Sequence, residues 1–387
     1  MSLTARLSIL ALGLFIVGTN AFVIAGLLPQ IAKTLGVRAS DVSYSITFYA
    51  LIVAVLAPAI SITMSRVSRT TLMSVGLVLV AAGTIVAAAA PTIEVFTLGR
   101  VVAAFGGAAL VPTATAAAAM MAPVERRGRA IAFVGVGFTA STAFGAPLGT
   151  AIASVSSWRV PMFGIAGLAI IAAIAVALFV RDVPLSGAVS LRRRFAILVH
   201  PRIALALLTT LLVVCGFNIV YIFSAAITEP ATGGSGALLA LLLLLYGVAG
   251  ILGNIISGRL TDRHGNRIVG GVSLVVMALL LAVLPLVVQS FVATAVLFAL
   301  WGIAVNAATL PIQHRLVEID PATSAIAISW FSTALYAGIA LAPLLGAEVL
   351  GFGNPELLPI IGAVVTALAL AAFLLGWVRR RATAAAV

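Results

Sequence analysis

Charge is what this chain has least of: 8% of its 387 residues are Asp, Glu, Lys or Arg, where a soluble domain carries about 25%. So little polar surface excludes a soluble fold. Carboxylates are scarcer still. The ten are Asp41, Glu94, Glu125, Asp182, Glu229, Asp262, Glu318, Asp320, Glu348 and Glu356, all in polar breaks or near the ends of apolar runs. The three histidines, His200, His264 and His314, are peripheral in the same way. A membrane-embedded enzyme would need a histidine–carboxylate pair, a metal cluster or an activated serine at depth. None is visible, and no G-x-x-x-x-G-K-S/T sequence cradles a nucleotide phosphate. The chain is read as a non-enzyme with no cofactor and no metal. Its one cysteine, Cys215, excludes an intramolecular disulfide and, inside an apolar run, serves as a small packing residue. No charged ring or filter-like loop suggests a channel, and no segment is long enough for the soluble output domain of a sensor.

What is abundant is apolar length. Hydrophobic residues make up 63% of the chain, and mean hydropathy is +1.26. Runs of about 20 apolar residues suffice to cross a bilayer, and twelve are read, at about 7–29, 42–64, 71–90, 95–119, 130–155, 160–180, 203–227, 237–258, 268–288, 290–312, 323–349 and 357–378. The first, behind Arg6, is too long for the apolar core of a cleaved signal, so it is read as a retained helix. The formal net charge of +12 is carried in short segments between spans, which suits orientation in a membrane better than nucleic-acid binding. With the N-terminus inside, eighteen arginines fall on the inner side, among them Arg6, Arg66, Arg69, Arg259, Arg263, Arg267, Arg315 and Arg379 to Arg381. Lys33, Arg38 and Arg159 alone fall outside. The excess of inner cations predicts that both termini are cytoplasmic. The longest inner segment, 181–202, carries Arg192-Arg193-Arg194 and is expected to lie against anionic headgroups.

Two sets of six spans share an internal symmetry. Residues 58–72 align with 255–269 at an offset of 197, placing Ser65 opposite Asp262 and Arg66 opposite Arg263. Gly18-Thr19-Asn20 aligns with Gly216-Phe217-Asn218 at 198, and Gly106 with Gly302 and Pro147 with Pro343 at 196. Four matches within two residues of one offset predict an all-α membrane protein of two pseudo-symmetric six-helix bundles, residues 1–180 and 203–387 joined by the 181–202 linker. A parallel repeat of this kind puts a substrate site near the midplane between the halves.

The stretch Gly258-Arg259-Leu260-Thr261-Asp262-Arg263-His264-Gly265-Asn266-Arg267 reads G-x-L-x-D-R-x-G-x-R between two spans. At what is read as a turn, this resembles the loop signature of the major facilitator superfamily. There, the charged cluster latches one conformation of a transporter. The resemblance assigns a latch to Gly258, Asp262, Arg263, Gly265 and Arg267, with Asn254 supporting it. The first-half copy, Met64-Ser65-Arg66-Val67-Ser68-Arg69, lacks the aspartate and glycine, so a latch there would rest on Arg66 and Arg69. A degenerate first copy beside an intact second one is similar to the arabinose-efflux-permease-like group of twelve-helix drug/proton antiporters. Gly26-Leu27-Leu28-Pro29, Trp158-Arg159 and Tyr246-Gly247-Val248-Ala249-Gly250 agree with that. The resemblance covers nearly the whole chain.

Arg100, in Leu98-Gly99-Arg100, resembles the fourth-helix arginine that such antiporters use in proton coupling. A charge at depth costs about 2.5–3.5 kcal/mol, so Arg100 is expected to face the bundle or to reach Glu94, about 9 Å along the helix. Relatives commonly carry an acid in the first span, where this chain has Thr19-Asn20-Ala21-Phe22. Asp41 and Glu94 are the remaining candidates for a proton carrier. Gly145-Ala146-Pro147-Leu148-Gly149, behind Gly137, resembles the antiporter signature of the fifth helix. Small residues there allow close packing, and proline removes one backbone hydrogen bond, which together suit a pivot. Asn20 and Asn218 are amides at equivalent positions, and a lipid-facing placement would leave their hydrogen bonds unmade. With Tyr221 on nearly the same face as Asn218, and with Tyr49, Thr113, Trp330 and Tyr336, they form the expected substrate-binding set.

These readings imply a secondary transporter that exports a small neutral or weakly polar compound (an amphenicol, a nucleoside or a sugar) by proton antiport with alternating access. It is expected to be monomeric in the bacterial inner membrane. Its partners are a small-molecule substrate, protons and the lipid bilayer, with no nucleic acid. A proton-coupled importer of the same fold is the alternative.

Overall fold

The structure is a computed structural model that describes residues 1–64, 67–181, 183, 195–320 and 323–377. Twelve helices in it are long and apolar enough to cross a membrane. They are α1 (Leu3–Leu35), α2 (Ala39–Thr63), α3 (Arg69–Ala89), α4 (Ile93–Met121), α5 (Arg127–Val155), α6 (Arg159–Phe179), α7 (Pro201–Ile222), α8 (Gly236–His264), α9 (Asn266–Val287), α10 (Phe291–Ile319), α11 (Ser324–Gly351) and α12 (Leu357–Leu375). The chain is a multi-pass, all-α membrane protein built from two pseudo-symmetric six-helix bundles. Arg66, Ser65, Asp182, Arg192 to Arg194 and Arg379 to Arg381 lie outside the described residues.

Local chemistry marks the helix ends. Ser2, Ser68, Ser235 and Ser290 each accept a hydrogen bond from a first-turn N–H of α1, α3, α8 and α10, the usual role of serine at a helix start. α1 closes on Gly36 at φ 67°, whose N–H bonds to the Ala32 carbonyl. Arg159, at the start of α6, donates to the Ala90 carbonyl just past α3 at 3.0 Å and lies over the Trp158 ring at 4.4 Å. Prolines 29, 58, 112, 285, 311 and 343 sit inside helices without ending them, as neighbouring helices permit in a membrane bundle.

Two boundaries differ from the sequence expectation. The signature stretch is not a turn: residues 258–264 are the last two turns of α8, and the only break is Gly265 at φ 82°, with α9 beginning at Asn266. Nothing from Arg259 to His264 opposes a helix, so the chain turns only where glycine permits a positive φ. Beyond Ile222, two four-residue helices, Ser224–Ile227 and Glu229–Thr232, replace the predicted end of the seventh span.

The bundles meet along α2–α11 and α5–α8. Thr47 donates to the Ala340 carbonyl at 2.9 Å, and a methyl group added at Gly247 of α8 would collide with the backbone of Ala143 in α5. Gly236, at the start of α8, faces Ser154, near the end of α5. These contacts run from mid-membrane to the face opposite the one where α1 begins, termed here the far face.

Candidate functional site

A small cavity lies where the bundles meet. Its walls are Ala21, Phe22 and Ala25 of α1, Ile46, Tyr49 and Ala50 of α2, Asn218, Tyr221 and Ile222 of α7, and Tyr336 and Ile339 of α11. Its volume is about 10 Å³, room for about one water. Four buried polar atoms around it have no hydrogen-bond partner: the hydroxyls of Tyr49, Tyr221 and Tyr336 and Oδ1 of Asn218. The Asn218 amide nitrogen is satisfied by its own helix, donating to the Val214 carbonyl at 2.9 Å. Buried polar groups nearly always find partners, so four orphans on one cavity are a standing requirement for donors and acceptors.

Aromatic rings join the halves here. Phe22 packs edge-on against both Phe138 and Tyr221, Tyr221 tilts against Tyr246 at 5.4 Å, and Tyr246 against Trp301 at 4.5 Å. Trp301 is fully buried, and its indole N–H is also without a partner. Ile222 forms a floor. It lines the central cavity and also a vestibule of about 270 Å³ at the far face, which Pro29, Gln30, Phe223, Glu229 and Leu239 help to enclose.

A second polar centre lies beside the cavity, inside the first bundle. Arg100 of α4 is fully buried. One guanidinium nitrogen donates to the Asn20 backbone carbonyl at 2.7 Å and to Asn20 Oδ1 at 2.5 Å. The Asn20 amide nitrogen donates to Thr84 of α3 at 2.6 Å, and Thr84 donates onward to the Val80 carbonyl. The Arg100 guanidinium lies 4.4 Å from the centre of the Tyr49 ring. Four helices are thus tied to one cation, whose remaining nitrogens, Nε and Nη2, are unpartnered.

The structure therefore brings some of the sequence-selected residues together and separates others. Asn218, Tyr221, Tyr49 and Tyr336 share the cavity. Asn20 stands behind it, engaged with Arg100; Thr113 is buried in α4 outside the lining. Trp330 is near the start of α11, packed edge-on against Phe195 at 5.2 Å, in a small apolar cluster with Ile197, Leu316 and Phe331. Arg100 turns to Asn20 rather than to Glu94, which is exposed at the start of α4. Asp41 pairs with Arg38 at 3.0 Å on the far face, and this contact holds the Arg38 guanidinium above its ordinary pKa. Asp262, Arg263 and Arg267 are exposed, and among the described residues none of them forms an ion pair. Arg69 lies at the first residue of α3. Gly258 faces Leu310.

The fifth helix is continuous, but one wide π-helical turn over Ser141–Gly145 precedes Pro147. Such a turn absorbs the hydrogen bond that proline cannot make. Gly145 and Gly149 press against Thr19 and Val23, as Gly137 does against the Ala11 backbone, so these glycines seat α5 on α1. Thr84, Tyr246, Trp301 and Ile222 escaped the sequence reading as site residues. Only Tyr246 carried a signal, as part of a glycine-flanked motif.

The family model of the Major Facilitator Superfamily matches residues 10–230 and 206–386. An uncharacterized MFS-type transporter, YbcL of Bacillus subtilis (strain 168), is 32% identical over 347 residues, 88% of each chain. The inner membrane transport protein YdhP of Escherichia coli (strain K12) is 28% identical over 374 residues, 96% of this chain and 95% of that one. The crystal structure of a mutant of the nucleoside transporter NupG has a TM-score of 0.76 at 14% identity, covering 97% of this chain and all of that one, a likeness of fold. Twelve membrane helices in two bundles and the match of profile and relatives along nearly the whole length agree: this chain is a member of the Major Facilitator Superfamily.

Proposed function

We propose that this chain is a secondary transporter that exports a small, neutral or weakly polar compound through the central cavity by alternating access. The observation that carries the reading is the set of four unpartnered polar atoms, Asn218 Oδ1 and the hydroxyls of Tyr49, Tyr221 and Tyr336, on a cavity walled by both bundles. A site built to hydrogen-bond discriminates strongly against analogues that leave its groups unpaired. Among the described lining residues there is no charged side chain, which favours a neutral compound with hydroxyl or amide groups, such as an amphenicol, a nucleoside or a pentose. Narrow as it is here, the cavity admits such a compound only when the bundles part. The terminus-bearing side is taken as cytoplasmic, supported by the arginine count, and 1–180 and 203–387 are taken as the moving units, supported by the repeat.

Proton exchange is proposed as the driving step, with Arg100 as the coupling residue. Its support is the burial of that cation beside the cavity and the resemblance of its position to that of the drug/proton antiporters. Asp41 and Glu94, both near the far face, are the carboxylates proposed to exchange protons there. One observation favours a second reading, a carrier without proton coupling: among the described residues no carboxylate bonds to Arg100.

The test is accumulation of labelled amphenicol, nucleoside and pentose in an efflux-deficient bacterial host expressing the chain, with and without a protonophore. Lowered accumulation of one compound, restored by the protonophore, is expected. Lowered accumulation that the protonophore leaves unchanged would favour uncoupled transport, and raised accumulation would mean uptake.

A further inference from the structure

Away from the central cavity, the terminus-bearing face holds an open groove of about 600 Å³ between the α8–α9 junction and the end of α12. One end is polar: His264, Asn266, Arg267 and Trp377 line it. The other end is apolar, with Ile268, Val272 and Leu374 on its wall, all strongly exposed on the outside of the bundle. A headgroup-sized polar end continuous with a lipid-facing apolar wall is the shape of a phospholipid.

Three independent observations concern the polar end. Asn266 is 93% buried, and its amide nitrogen donates to Glu318 at 2.8 Å, but its Oδ1 has no partner. The Trp377 indole N–H is also buried without a partner, its ring occupied from one side by the Arg315 guanidinium at 3.4 Å. Arg315 also donates to the Gly376 carbonyl. Finally, cations prevail around Arg315: Arg202 and Arg267 act on it electrostatically against Glu318. The first N–H groups of α9, a helix of 22 residues, add further donors because they have no acceptor within the helix. In sequence, Arg379, Arg380 and Arg381 follow Trp377 directly after one valine.

We infer that this groove binds an anionic phospholipid from the leaflet on the terminus-bearing side. The phosphate takes the charge of Arg267 and the N–H groups of Trp377 and α9. A headgroup hydroxyl donates to Asn266 Oδ1, and an acyl chain covers Ile268, Val272 and Leu374. The site adjoins Gly265, where the chain turns between α8 and α9, so a bound lipid fixes the end of the signature segment. The complementarity to an anion and the unpartnered acceptor together select a phosphatidylglycerol-like headgroup over phosphatidylcholine, which has no hydrogen-bond donor.

The test is native mass spectrometry of the full chain from mixed vesicles of phosphatidylglycerol and phosphatidylcholine. Arg267→Gln is compared with Arg129→Gln, an exposed arginine on the same face. One surface arginine contributes about a fivefold preference for an anionic headgroup. Wild type and Arg129→Gln are expected to retain phosphatidylglycerol, with retention reduced about fivefold in Arg267→Gln. Asn266→Leu is expected to weaken phosphatidylglycerol while leaving dioleoyl-phosphatidylmethanol, an anionic diester with no hydroxyl, unaffected. Equal retention of the two vesicle lipids, or equal losses in Arg267→Gln and Arg129→Gln, would overturn the assignment. Thermal stabilisation by inorganic phosphate matching that by phosphatidylglycerol would overturn it in favour of a free-anion site.

Discussion

Asn20 and Asn218 occupy equivalent places in the two halves, 198 residues apart, and both are buried, yet they do opposite work. Asn20 engages its side-chain oxygen with Arg100 and its nitrogen with Thr84, so both of its polar atoms are already partnered inside the first bundle. Asn218 satisfies its nitrogen within its own helix and leaves its oxygen open on the cavity. What separates them is the opposite wall. α4 supplies a buried cation to the first half, while Asn218 Oδ1 meets no donor among the described residues. The repeat thus builds one half as a polar anchor and the other as a receptive surface, and the cavity draws its open hydrogen-bonding capacity from Tyr49 on one side and from Asn218, Tyr221 and Tyr336 on the other.

The strongest way to break this contrast is to remove the anchor. Asn20→Leu removes the one side-chain acceptor that the structure shows for the buried Arg100 guanidinium and leaves it the Asn20 backbone carbonyl. A loss of about 2–3 kcal/mol is expected, the worth of a buried hydrogen bond to a charged group, read as a lower melting temperature in detergent. Asn20→Asp should keep most of the stability, because a carboxylate also accepts from Arg100. The mirror change, Asn218→Leu, removes only one bond within its own helix, worth about 1 kcal/mol net. The melt should move little while transport falls at least about tenfold, the effect of losing about 1.4 kcal/mol of substrate hydrogen bonding.

Smaller effects sharpen the picture. Tyr49→Phe, Tyr221→Phe and Tyr336→Phe each delete an unpartnered hydroxyl, so the melt should hold or rise. The apparent affinity for a hydroxylated substrate should weaken about fivefold for each hydroxyl that contacts it, measured as KM. Ile222→Ala thins the floor between cavity and vestibule and should change KM for bulky substrates more than for small ones, with a stability loss of about 2–4 kcal/mol as a core truncation. Asp262→Asn should shift the melt by less than about 0.5 kcal/mol, since an exposed and unpaired group stabilises little, but should impair transport more than any substitution at Ser65. Equal transport defects at the two positions would remove the distinction between the intact and the degenerate copy of the signature.

Much of this architecture was legible in the sequence because lipid demands long apolar runs, and the repeat survives as matched glycines, prolines and asparagines. The selection of Asn20 and Asn218 followed from the same logic, since an amide inside a span must find partners. Which partners they find depends on α3 and α4 crossing behind α1, and neither the Thr84 contact nor the turn of Arg100 away from Glu94 is encoded locally. The signature stretch misled for a different reason. Its charges suggest a turn, whereas arginine, leucine and aspartate continue a helix that only Gly265 ends. Trp330 and Tyr336 are six residues apart on one helix, a net turn of about 240° and a rise of about 9 Å, so the tyrosine reaches the cavity while the tryptophan packs against Phe195.

The most direct test of the division of labour is a paired measurement of melting temperature and substrate transport on Asn20→Leu and Asn218→Leu, prepared and assayed side by side. The expected result is a large drop in melting temperature for Asn20→Leu, and for Asn218→Leu a near-native melt with transport largely lost. A stable Asn20→Leu protein beside an Asn218→Leu protein that melts early and still transports would contradict the account.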